Sequence, residues 1–228
     1  MSTNRPGDEA ALRLARLPPG RHGLPREFVT RNQRDRLAAG TIAVVAERGL
    51  NDATITQICA AAGVSRRTFY TYFSSKEACF FAAYETIAEH LRIATDEATA
   101  DEEDWPRQVV AKLGAALEFL AANPDLARFF LIAPQRAGEE VASRYREGMD
   151  RAVEYLCEGM PPAPATKTPS EAVAGSLIGG MVTLVVRKVE AGEGDELPQL
   201  LPDLVELFLT PYLGRTDAVQ VAQGRLAP

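Results

Sequence analysis

The chain has 228 residues, 46% of them hydrophobic, which suits one large or two small globular domains and excludes disorder over most of its length. No uninterrupted apolar run approaches the roughly 18–20 residues of a membrane span, and MSTNRPGDEA at the start lacks the apolar stretch of a secretory signal, so a cytoplasmic protein away from membranes is expected. The net charge of −6 is divided unevenly: residues 1–80 carry 12 Lys/Arg against 7 Asp/Glu, and residues 81–228 carry 13 against 24. A basic segment on an acidic body suits a chain of which one end must approach a polyanion.

Residues 1–31 read as a mobile basic arm, rich in Arg, Pro and Gly, whose Arg16, Arg21 and Arg26 either enter a minor groove or trail as an unstructured tail. Pro25 suits the first position of a helix reaching Arg48, with Leu37, Thr41, Val44 and Val45 on one face and Gly49 as its stop. Thr54 caps a short helix in which Ile55, Ile58 and Cys59 repeat at helical spacing, Gly63 breaks it, and Ser65 caps the next, Arg66 to Phe73. A long helix follows from Ser75 to about Thr99, ended by the acidic loop Asp101–Asp104. Further helices are predicted from Trp105 to Asn123, from Pro124 through Ile132, from Gly138 to Met160, from Ser170 to Ala191, and from about Pro202 to Leu213. Between the last two, Gly192–Glu196 reads as a flexible break, and residues 215–228 read as a tail. No stretch alternates with period two, so the fold is expected to be all-α.

Two short helices separated by a three-residue turn headed by Gly63 form a helix-turn-helix, a domain placed at residues 32–80. Gly63 supplies the left-handed backbone of the turn, Val64 fills the space between the helices, and Ala60 and Ala61 are small enough to let them cross closely. The second helix points Phe69 and Phe73 inward and Arg66, Arg67, Thr68, Thr71 and Tyr72 outward. Arginine can pair bidentately with guanine and threonine can touch a thymine methyl in the major groove; both arginines could instead hold phosphates.

The stretch AERGLNDATITQICAAAGVSRRTFYTYFSSKEACF closely resembles the DNA-binding signature of the TetR (tetracycline repressor) family of bacterial transcription regulators, over roughly residues 33–85. It departs from the family pattern at Ile55, where many members carry a second Thr. The resemblance implies a homodimer on double-stranded operator DNA, with Thr54, Thr56, Tyr70, Tyr72 and Lys76 at positions that contact phosphates and Arg66, Arg67, Thr68 and Thr71 at positions that face bases. Thr54 also serves as an ordinary N-cap, and Lys76, a cation at a helix start where the dipole disfavours it, implies an attractor elsewhere.

Residues 81–214 then form an effector-binding and dimerisation domain. The last two apolar helices are expected to dimerise, as the family's do, one through a small-residue face around Gly175–Met181 and the other through Leu200, Leu201, Leu204, Val205, Phe208 and Leu209. A pocket for a small, largely apolar effector is expected among Leu113, Leu117, Phe129, Phe130, Tyr145, Met149, Met181 and Val185, types that equally make plain core. Effector binding is expected to shift the long helix and so release the operator; a ligand-dependent activator and a DNA-binding architectural protein without effector are the alternatives. No enzyme, cofactor or metal is expected. His22 and His90 stand apart, no nucleophile or phosphate-binding motif occurs, the Asp101–Asp104 carboxylates lack converging ligands, and Cys59, Cys79 and Cys157 suit buried free thiols.

Overall fold

The computed structural model describes residues 26–161 and 169–224, with side chains described from residue 32. Residues 1–25 of the arm expected over 1–31, and most of the Pro-rich loop after Met160, lie outside the described residues. Every regular element among the described residues is a helix, as the missing period-two pattern requires. The chain divides into two compact units, residues 1–87 and 88–228.

In the first unit, α1 (Arg26–Arg48), α2 (Ile55–Ala62), α3 (Arg66–Tyr72) and the start of α4 (Lys76–Thr99) enclose Leu37, Thr41, Val45, Ile58, Phe69 and Phe80. Arg26–Arg31 belong to α1, so the expected arm ends before them. The close helix approach is also not where the sequence put it. Ala60 and Ala61 are exposed, whereas a Cβ on Gly40 of α1 would stand 2.9 Å from the Ala62 nitrogen and the Ile58 oxygen of α2. Glycine at 40 is what lets α1 lie on the α2 backbone.

In the second unit, the rest of α4 is followed by α5 (Trp105–Ala121) and α6 (Pro124–Ala127), which continues as a π-helical turn, Arg128–Ile132, and a 3-10 turn, Ala133–Arg136. Then come α7 (Glu139–Cys157), α8 (Glu171–Glu190), a 3-10 segment (Gly194–Leu200), α9 (Leu201–Leu213) and α10 (Arg215–Ala222). Two buried donors on α5 close the C-terminal end of α7. The Trp105 Nε1 donates to the Leu156 carbonyl at 2.9 Å, and the Lys112 Nζ donates to the Tyr155 carbonyl at 2.7 Å while lying 3.9 Å from the Tyr155 ring centre. A cation at a helix C-terminus meets the negative end of the dipole, which offsets part of the desolvation of Lys112.

Two sequence expectations fail here. Gly192–Glu196 is not a flexible break: Leu197 is fully buried and the Lys188 Nζ holds both Glu193 and Glu196 at 2.6 Å. Nor are residues 215–222 a tail, since α10 packs on α9 and buries Ala218 and Val221. A helix of 8 residues is not stable alone, and its weak apolar pattern gains a helix only by packing.

By length and composition, α8 is apolar enough to cross a membrane, with a mean hydropathy of 1.5, although no uncharged run in the sequence reached that length. Its buried Ala174, Ile178, Met181, Val185 and Val189 recur every three or four residues, the stripe of a helix packed on a protein core.

Candidate nucleic-acid interface

Each helix of the helix-turn-helix is fixed at its start by its own side chains. Thr54 accepts from the Gln57 backbone N–H at 3.3 Å, and the Gln57 side chain accepts from the Thr54 N–H at 2.9 Å, so two otherwise unpaired donors of α2 are satisfied. Ser65 accepts from the Thr68 N–H at 3.0 Å at the start of α3. Between them Gly63 adopts φ 62° and ψ 39°, a backbone that a residue with a Cβ resists. The Arg36 guanidinium donates to the Gly63 carbonyl at 2.7 Å, placing a cation at the C-terminal end of α2.

On α3 the buried Phe69, followed by the buried Phe73 at its end, sets which face points out. Arg66, Arg67, Tyr70 and Thr71 are exposed, and neither arginine has a partner among the described residues. Tyr70 is 52% exposed and braced edge-on against Phe69, with ring centres 5.5 Å apart. Thr71 donates its hydroxyl to the Arg67 carbonyl at 3.0 Å, which leaves its methyl and an oxygen lone pair outward. Thr54 and Thr56 are exposed as well.

Three expected contacts differ in their geometry. Thr68 and Tyr72 are half-buried rather than outward: the Thr68 hydroxyl shares a hydrogen bond with Ser65 at 2.9 Å, and the Tyr72 hydroxyl donates to Gln33 at 2.9 Å. Lys76 donates to the carbonyls of Leu50 at 2.7 Å and of Asn51 and Ala53 at 3.0 Å each. An ammonium has three N–H donors, and all three are used. The attractor that holds this cation at a helix start is therefore the turn between α1 and α2, and its pull fastens the start of α4 to that turn.

Residues 37–83 match the family described as bacterial regulatory proteins, tetR family. Over this stretch, about a fifth of its length, the chain is similar to the tetR family. The nine DNA-facing candidates lie inside the matched stretch, and all eight pocket candidates lie outside it. An uncharacterized HTH-type transcriptional regulator of Bacillus subtilis, YvdT, is 35% identical over 77 residues, which are 33% of this chain and 40% of that relative. The chain thus spans less than half of that relative's length. The HTH-type transcriptional regulator BetI of Stenotrophomonas maltophilia is 27% identical over 172 residues, 69% of this chain and 88% of BetI. Among solved structures, the transcriptional regulator FadR from Bacillus subtilis in complex with stearoyl-CoA aligns with a TM-score of 0.62 at 16% identity, covering 78% of this chain and 97% of FadR. At that identity the likeness shows the fold alone, which reaches through most of this chain.

In that second unit Leu117, Phe129, Phe130, Met181 and Val185 are buried, and Leu113, Tyr145 and Met149 are half-buried. None of the eight lines the shallow groove of about 420 Å³ beside Leu177, Leu207 and Pro211 on α8 and α9. The thiols are quiet. Burial pushes Cys79 up to about 11, with its Thr41 hydrogen bond pulling the other way, and burial likewise raises Cys59 against the opposing charge of Arg66. Cys157, expected to be buried, is only half so and pairs with the Tyr212 hydroxyl at 3.4 Å.

What sequence reasoning missed are the positioning groups Gln33, Arg36, Gly40 and Gln57. Only Gln57 left a signal, since Thr-x-x-Gln before an apolar run is a capping box; the other three act across distances of 18 to 39 residues that no local pattern encodes.

Proposed function

We propose that this chain is a sequence-specific DNA-binding transcriptional regulator that works as a homodimer and leaves its operator when a small, largely apolar effector binds. The observation that carries it is α3: a short helix capped and braced from within, presenting two uncommitted arginines, a threonine and a tyrosine on one exposed face. Arg66 and Arg67 read base edges in the major groove, with Thr71 and the Thr68 methyl beside them. Thr54, Thr56 and Tyr70 hold phosphates. Tyr72 joins them only by exchanging Gln33 for a phosphate oxygen, because one hydroxyl proton serves one acceptor. Lys76 acts by positioning rather than by phosphate contact.

One helix-turn-helix reads one half-site, so a palindromic operator needs two copies. Val173 and Leu184 of α8 and Leu207 of α9 are 42%, 37% and 36% exposed, an apolar face that supports a second copy of this chain as its cover. The helix α4 contributes residues to both units and is the element through which an effector in the second unit would bias the first. FadR's complex with stearoyl-CoA supports room for a small amphipathic molecule in this fold.

The test is binding of the full chain to genomic DNA fragments over a range of salt. A small set of near-palindromic fragments should bind far above the rest, with affinity falling steeply as salt rises. Equal affinity for every fragment would overturn the proposal.

A further inference from the structure

On α7, Val141, Tyr145 and Met149 follow at four-residue spacing and share one face, whereas Arg144, Arg146, Asp150 and Arg151 are exposed on the others. The Tyr145 hydroxyl is fully enclosed yet makes no hydrogen bond among the described residues. The Gln135 side chain, whose amide nitrogen gives one N–H to the Leu131 carbonyl at 2.7 Å, is the neighbour close enough to pull on the phenol as a hydrogen-bond partner, without completing a bond to it. Native interiors rarely leave a buried hydroxyl without a partner, and such a group asks what it is there to meet. The turn that packs against α7 here follows directly on the π-helical Arg128–Ile132, a distortion found frequently at functional sites. It carries the buried Phe129 and Phe130.

We propose that the Tyr145 hydroxyl is the hydrogen-bonding anchor of the effector site, and that the effector is an apolar molecule bearing one uncharged polar group such as a ketone, ester or alcohol. This rests on the effector reading above and adds the chemistry of the ligand. An uncharged group fits because the enclosed phenol both donates and accepts, and burial, pushing its titration upward, keeps it protonated. A carboxylate or phosphate would need a cation. Three cations of the second unit have partners already: Arg128 donates to the Val189 carbonyl at 3.2 Å, Arg136 pairs with Glu190 at 2.5 Å, and Lys112 is engaged by Tyr155.

The experiment uses the full chain and ten-carbon probes of one length, 2-decanone and 1-decanol as neutral ligands and decanoate as the anion. Calorimetry, with the fluorescence of Trp105, the single tryptophan, as a second readout, gives the affinities of wild type and Tyr145→Phe. Wild type should prefer the neutral probes, and Tyr145→Phe should weaken them roughly 5- to 10-fold, about the worth of one hydrogen bond, with melting temperature unchanged or raised. Equal affinity in the variant sinks the anchor and spares the effector reading. So does a lowered melting temperature with unchanged affinity, which marks a structural water on the hydroxyl. Preference for decanoate overturns the uncharged ligand. No binding of any probe to wild type overturns the apolar-effector reading and the anchor with it.

Discussion

The two units put their chemistry in opposite places. In the first, the proposed DNA-facing groups stand outside: Arg66, Arg67 and Tyr70 are exposed on the second helix of a helix-turn-helix whose caps, Thr54 with Gln57 and Ser65 with Thr68, are all within three residues of their partners. In the second, the candidates are turned inward, and the polar groups that shape the interior join distant segments, as Trp105 does with Leu156 and Thr95 with Tyr155 at 2.9 Å each. A surface that meets a long, uniform polyanion needs exposed donors on a rigid local frame. A chamber for a small molecule needs apolar walls from several helices and few polar groups. Local motifs therefore describe the first unit well and the second poorly.

The largest effects should come from the cores. Phe69→Ala and Phe208→Ala each remove a fully buried ring and should cost about 3–5 kcal/mol. Trp105, in the second unit, should report the Phe208→Ala transition directly, whereas Phe69→Ala should abolish DNA binding and lower helix content with little early change at Trp105. Simultaneous loss of both signals in Phe69→Ala would break the distinction between the units.

Next in size are the recognition groups. Arg66→Ala should cost about 1–3 kcal/mol of operator binding and relax preference at one base pair. Lys76→Met should lower the melting temperature, because three carbonyls of the turn lose their donor. It should weaken DNA binding without changing the salt dependence. A phosphate-binding lysine would reduce the slope of log K against log salt by about 0.9, and that result would return Lys76 to the contact surface.

The smallest effect is alkaline. The Cys79 thiol is raised to about 11 in the folded chain from an ordinary value of 9.0, so its protonated form is the one folding favours. That contribution is complete below pH 9 and fades as pH rises toward 11. At pH 8 a thiol reagent should modify the half-buried Cys157 first and leave Cys59 and Cys79 until the chain unfolds. Early reaction at Cys79 would show that the first unit opens locally.

Much of the helical architecture was legible because each signal was short-range. Pro106 in a first turn, Gly63 at a turn, Ser170 before an apolar run and the Phe69–Phe73 spacing act within one turn of their own residue. The exposed face of α3 was partly legible for the same reason, since helical spacing alone separates Phe69 from Arg66, Arg67 and Tyr70. Lys76 was half-legible: the helix dipole told that something attracts it, but not that the attractor is a turn more than twenty residues back in sequence. The sequence by itself determined the helix class, the location of the turn and that Arg66, Arg67 and Thr71 of α3 face outward, though not that Thr68 and Tyr72 are half-buried, because period, caps and backbone freedom are properties of neighbouring residues. Only the tertiary structure decided that Gly40, not Ala60 or Ala61, is the crossing point, that α10 exists, that Tyr72 bonds to Gln33, and that Tyr145 ends in an enclosed hydroxyl. Those outcomes depend on which distant surfaces meet, and burial and hydrogen bonding between distant segments leave no periodic trace along the chain.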